Sequence, residues 1–192
     1  FSCGEPSTED QLLGSWYFSF EDPNASGGQV VQVEIFYNFN SDGTVLNSMP
    51  ILEEMQSEIG VGGITTKSKW SLSEDKKKLI VTTDTNPALG LNEPMVEEIP
   101  IESISSSELC LGIPENTPNA PYDKLCASKI SDEKFFNITA DFISIEDWFS
   151  MLEKKGAAAE AELLLKEVAG ASEMYEAIYG GQQTNLDELE SK

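Results

Sequence analysis

The chain contains no histidine, and all 12 of its basic residues are lysine, so arginine is missing as well. Without imidazole there is no Ser-His-Asp or Cys-His triad, no His metal ligand and no His acid–base group working near neutral pH. Cysteine is scarce too: the 3 present form no CxxC pair, which makes a poor zinc set. No Asp-x-Asp-x-Asp-Gly loop offers a calcium site. Gly60-Val61-Gly62-Gly63 lacks the Lys-Ser/Thr that a phosphate loop requires, and no Gly-x-Gly-x-x-Gly is found. The sequence therefore predicts neither metal nor cofactor. Positive charge is also short, with 12 Lys against 34 Asp and Glu and a net charge of −22. Such a chain repels phosphate backbones and anionic surfaces, which argues against a nucleic-acid partner. No apolar run reaches the roughly 18 residues of a membrane-spanning helix.

What is present is β-patterned. In Gln29 to Phe39 the residues Val31, Val33, Ile35, Tyr37 and Phe39 share one face. Gln32, Glu34, Asn38 and Asn40 take the other, with Phe36 the exception. Ser41-Asp42-Gly43 supplies a hairpin turn and Thr44 to Ile51 the return strand. Ile64 to Leu72 alternates again, with Ile64, Thr66, Ser68, Trp70 and Leu72 on one side. Lys78 to Thr83, Met95 to Ile104, Glu108 to Ile113 and Tyr122 to Ile130 read as further strands, and Gly14 to Phe20 as the first. Roughly eight strands joined by short connections favour a mainly β protein, an antiparallel up-and-down barrel, because closure removes exposed edges. The spacing of Leu52, Met55 and Ile59 suits a short amphipathic helix at a barrel mouth; a strand continuing through Ile51 and Leu52 fits as well.

The pattern turns helical after residue 140. Ser144-Ile145-Glu146-Asp147 resembles a capping box, followed by Ile145, Trp148, Phe149 and Leu152 at helical spacing, and Gly156 is a C-cap candidate. Ala157 to Ala169 and Ser172 to Tyr179 are further helix candidates. The expected organisation is an anchor or tether over residues 1–10, a barrel over 11–131, a helical extension over 132–181 and a flexible tail over 182–192.

Gly14-Ser15-Trp16 sits at the start of the first strand. A Gly-x-Trp there, an Asp42-Gly43 turn, the Lys69 to Lys77 strand and charged turn, and the Ile101 to Leu109 stretch together resemble the lipocalin-like group of Bacteroidetes lipoproteins. The resemblance implies an eight-stranded calycin-type barrel, with Gly14 and Trp16 plugging its closed end. Lipocalins lay an Arg over that Trp. Here Lys124 or Lys129 is the nearest cation by position. Phe1-Ser2-Cys3 resembles the end of a bacterial lipoprotein signal, which implies lipid attachment at Cys3 and an exported protein anchored in the cell envelope, at the outer membrane.

Cys110 and Cys126 alternate with apolar neighbours and so fall on outer strand faces, open to a disulfide or to two separate thiols. The carboxylate pairs Glu21-Asp22, Glu53-Glu54, Glu97-Glu98 and Asp132-Glu133 read as solvated surface, since neighbours on a strand point to opposite faces. Acid–base hydrolysis needs two carboxyls converging from different elements. No catalytic residue follows from this, and the expectation is a non-enzymatic protein. The inward residues Val31, Val33, Ile35, Tyr37, Trp70 and Leu72 are the ligand-binding candidates, for a small apolar or amphipathic guest. The alternative is a protein-interaction module whose filled barrel presents loops and C-terminal helices to a partner.

Overall fold

The structure, a computed structural model, describes residues 6–22, 31–51, 56, 60–86, 92–113 and 122–154. Its order is α1 (Thr8–Leu12), β1 (Gly14–Asp22), β2 (Val31–Phe39), β3 (Thr44–Pro50), β4 (Gly63–Leu72), β5 (Lys78–Thr83), β6 (Met95–Ile104), β7 (Glu108–Gly112) and β8 (Lys124–Ile130). Three elements follow: α2 (Asp132–Ile138), β9 (Phe142–Ser144) and α3 (Ile145–Lys154). Cys3, the Leu52-to-Ile59 segment apart from Gln56, and everything from residue 155 onward lie outside the described residues.

Strands β1 to β8 form a meander in which each pairs antiparallel with the next, and β8 returns to β1 through Ser15↔Ile130 to Phe18↔Ala127. The sheet therefore closes into an eight-stranded barrel. Its two ends differ. At one, hairpins turn tightly at residues 40–43, 73–77 and 105–107. There Asp42 Oδ1 accepts from the Thr44 N–H at 2.9 Å, and Gly43 takes φ +80°, the left-handed region that glycine enters without penalty. At the other end, the mouth in a barrel of this topology, the connections are the longer stretches 23–30, 51–62, 84–94 and 113–123.

Alternation sends one face of each strand inward. Trp16, Phe18, Ile35, Phe39, Val45, Leu79, Ile99, Leu109 and Ala127 are each at most 3 % exposed and make one cluster. Phe36, out of phase on β2, is nonetheless buried, because it stacks on Tyr17 at 5.0 Å outside the barrel. Cys110 and Cys126 are directly opposed on the outer faces of β7 and β8 and are joined in a disulfide.

Two sequence readings change. Thr8–Leu12, partly inside the expected tether, is a helix capped by a reciprocal Ser7–Asp10 box, and it buries Leu12 completely against the barrel's closed end. The region expected to be helical from residue 132 also contains a strand, β9. After β8 the chain turns at Ser131, whose hydroxyl accepts from the Lys134 N–H, into α2. It then lays β9 parallel to the first residues of β4, Gly63 to Thr65, beyond the point where β5 stops pairing with β4. Finally α3 buries Ile145 and Trp148 against Ile51, Val61 and Ile64. Of this strap α2 lies on the outside of the wall, held by Phe135, which is 1 % exposed, and by Asp132, which accepts from Ser15 at 2.7 Å and Asn38 at 3.3 Å, whereas α3 packs on the face of β4 that carries Ile64.

Candidate functional site

The closed end is assembled around Trp16. Its indole N–H donates to the Leu12 carbonyl at 2.7 Å, so α1 and the tryptophan cap the barrel together. Lys129 faces the same interior as Leu125 and Ala127, because all three alternate along β8, and its ammonium lies 4.8 Å from the indole centroid. It also donates to the Gln11 carbonyl at 3.0 Å. Burial lowers the pKa of this ammonium, and the nearby Asp132 carboxylate works in the opposite direction. Lys124 lies on the opposite face of the strand and is exposed. Gly14 opens β1 at φ +100°, with the Lys129 side chain 3.4 Å from where a Cβ would stand. The Gly-x-Trp signature thus has a local cause: a left-handed residue under the cation, then the plug. A closed up-and-down meander of eight strands, sealed at one end by that Trp and a cation, is the lipocalin arrangement.

The barrel is lipocalin-like. No family model matches the chain, and none of the curated proteins does. Among solved structures it is similar to a lipocalin-like protein from Bacteroides uniformis ATCC 8492, at 18% identity and a TM-score of 0.36, over 62% of this chain and 99% of that one.

The residues expected to line a ligand site do not converge on one place. Val33, Ile35, Tyr37 and Trp70 are all in the packed core. Tyr37 stacks with Phe39 at 5.8 Å and meets Phe18 edge-on at 5.5 Å; Phe39 meets Trp70 at 5.6 Å. The Trp70 N–H is fixed on the Asn40 carbonyl at 3.0 Å, in the turn at the closed end. Val31 is half-buried at the mouth, opposite Asp22, and Leu72 is half-buried at the other end, opposite Leu79. The lower half of the lipocalin-like barrel is filled by its own side chains.

The upper half is built differently. On the inner faces of β3 to β6 runs a band of polar side chains. Asn47 is paired with Thr66, and Asn47 also neighbours Tyr37 across β2 and β3. Ser68 lies two residues beyond Thr66 on the same face, and its hydroxyl is 2.9 Å from that of Thr83. Thr83 pairs with Met95, two residues from Glu97, which opposes Val81. Ser68, Thr83 and Glu97 are all 8 % exposed or less. Across the barrel stand Phe20, Val33, Leu111 and Leu125, with Phe20 and Tyr122 edge to face at 5.5 Å.

Glu97 corrects the reading of Glu97-Glu98 as solvated surface. Only Glu98 points outward, where it meets Lys78 at 2.9 Å; Glu97 turns into the barrel because Glu97 and Ile99 share a face. Asp132 of the Asp132-Glu133 pair is likewise engaged, by Ser15 and Asn38. The signal for the band was available in Thr66 and Ser68, which fall on the same alternating face as Trp70 and Leu72. Among the described residues no group of three or more Cys, Asp or Glu is gathered to hold a metal ion, and no described helix is long and apolar enough to cross a membrane.

Proposed function

We propose that this is a non-enzymatic binding protein of the cell envelope. Its lipocalin-like barrel takes a short amphipathic molecule through the mouth, polar groups against the Asn47–Thr66–Ser68–Thr83–Glu97 band and apolar part against Phe20, Val33 and Leu125. The observation that carries this reading is the placement of the band. Burying hydroxyls, an amide and a carboxylate inside a barrel costs stability even when they are hydrogen-bonded, and an apolar wall of the same shape avoids that cost. A scaffold selected for stability alone would continue at the mouth the packing seen around Trp16 and Trp70. The guest is short because the lower half is occupied by side chains.

One further observation supports the wider setting. The Cys110–Cys126 disulfide suits an oxidising compartment outside the cytosol. Export of that kind is what lipid attachment at Cys3 requires, and incorporation of labelled palmitate that is lost in Cys3→Ser tests the anchor. The barrel reading is tested by native mass spectrometry of the full chain against short-chain alcohols, amines and acids. The expected result is a one-to-one adduct that disappears in the folded double variant Ser68→Ala/Thr83→Val. No adduct with the unmodified chain, or the same adduct in the double variant, refutes it.

A further inference from the structure

The strap borders a recess on the outside of the wall, distinct from the inner band. Its floor is the outer face of β3 and β4, where Leu46 pairs with Lys67 and Ser48 with Thr65. Phe136 of α2 and Phe142 of β9 supply aromatic surface, and Glu146 from the first turn of α3 lines it too. The cleft measures about 380 Å³, within the roughly 300–1,000 Å³ of small-molecule sites.

Its chemistry is not what sealing a wall requires. The Ser48 and Thr65 hydroxyls satisfy each other at 2.9 Å, so the floor is quiet. Lys67 and Glu146, opposite in sign, line the same cleft, yet among the described residues no ion pair joins them. Glu146 accepts from the Asn86 amide through Oε1 at 2.8 Å, and among the described residues its second carboxylate oxygen has no donor. Phe136 is 54 % exposed, one of two large apolar residues so displayed among the described residues, although turning it onto the wall would remove that surface from water. An aromatic shelf with a separated cation and anion is complementary to a molecule that carries both charges beside an apolar group.

We infer that this cleft binds a small zwitterion with an apolar side chain, of the class of a free hydrophobic amino acid. Its carboxylate meets Lys67, its ammonium meets Glu146, and its side chain lies against Phe136 and Phe142. The net charge of −22 favours this over a simple carboxylate. A zwitterion has no net charge for the protein's field to repel, whereas an anion is opposed at every approach.

The test is an NMR titration of the full isotope-labelled chain with L-phenylalanine, its amide, and N-acetyl-L-phenylalanine. The expected result is saturable shifts at amides of β3, β4, α2 and β9, with either analogue about tenfold weaker than the amino acid. Lys67→Gln weakens L-phenylalanine about three- to tenfold, and Lys67→Arg restores it. The amide, which lacks the carboxylate, is indifferent to Lys67→Gln; a variant that had simply lost its fold would weaken both. The inference is overturned by an absence of saturable shifts, by shifts centred on Thr66, Ser68 and Thr83 inside the barrel, or by acid and amide responding alike to Lys67→Gln.

Discussion

The Ser68–Thr83 pair offers a quantitative test of whether the polar band exists for stability. The two hydroxyls are 2.9 Å apart on adjacent strands, and their residues are 7 % and 8 % exposed. In Ser68→Ala the Thr83 hydroxyl loses this partner in a site with little access to water. Leaving a buried donor or acceptor unsatisfied costs about 1–3 kcal/mol, and Thr83→Val should cost a similar amount by stranding Ser68. The double variant strands neither, and Val keeps the shape of Thr. Replacing both partners of a buried hydrogen bond with apolar groups is close to neutral, so the double variant should unfold within about 1 kcal/mol of the unmodified chain. The coupling energy is then about 1 kcal/mol or more, above the roughly 0.5 kcal/mol expected of independent sites. Urea unfolding followed by tryptophan fluorescence reads all four corners of the cycle, with an unchanged m-value showing that the compared states are the same. Additive losses, with the double variant about 3 kcal/mol or more below the unmodified chain, would refute the argument. The band would then be a structural requirement, and its presence would no longer point to a guest.

Three further outcomes follow from the same geometry. Replacing Cys110 and Cys126 with Ala opens a bridge spanning 16 positions; the chain-entropy estimate gives a loss of about 3 kcal/mol, read as a drop in the urea midpoint matched by reducing the unmodified chain, and a loss below about 1 kcal/mol contradicts it. Gly14→Ala forces a side chain into φ +100° beside Lys129; about 1–2 kcal/mol of destabilisation is expected, and an unchanged midpoint would show that β1 re-forms its start without strain. Asp42 and Asp75 have pKa values held below the ordinary 3.8, chiefly by hydrogen bonds from the side chains of Thr44 and Ser73. Folded-state values below the unfolded one mean a contribution present above that ordinary value and lost as pH falls through the depressed values. Asp42→Asn/Asp75→Asn should therefore narrow the gap between urea midpoints measured at about pH 6 and pH 2.5, and an unaltered gap would contradict the assignment.

The fold was legible wherever a strand was long enough to show its period. The nine residues of β2 announce their inward face, and the tight Asp42-Gly43 turn fixes its partner. Phe36 broke the pattern for a reason alternation cannot express, since its burial comes from Tyr17 outside the barrel. The cation over Trp16 was legible in part: Leu125, Ala127 and Lys129 share a parity that Lys124 does not. The strap was harder. A seven-residue helix such as α2 spans barely two turns, and the three residues of β9 are too few for any period to appear. The inner band was hidden for another reason. A Ser, Thr or Glu on a strand is by default assigned to the solvent side, and only register decides that Glu97 faces in while Glu98 faces out.

The two ends of the barrel obey different energetic logic, and the strap explains how both coexist. Around Trp16 the wall is braced from within, by aromatic contacts and by α1 seated on the closed end. Around the polar band the interior cannot do this, because hydroxyls and a carboxylate pack with less gain per unit area than Leu or Phe. There the appended segment adds the bracing. Asp132 fastens α2 on the outer face near the closed end, through Ser15 and Asn38, while farther along β9 pairs with the stretch of β4 that β5 does not reach, and Trp148 packs α3 on Ile51 and Ile64, the latter on the face of β4 that also carries Thr66 and Ser68. The disulfide ties β7 to β8 on the outer face as well. Bracing by the appended segment lets the inner surface of β3 to β6 carry groups chosen for recognition instead of cohesion. The same segment that supplies the bracing creates the cleft at Lys67 and Glu146, so the appended strap serves both the barrel's integrity and the chemistry displayed on its surface.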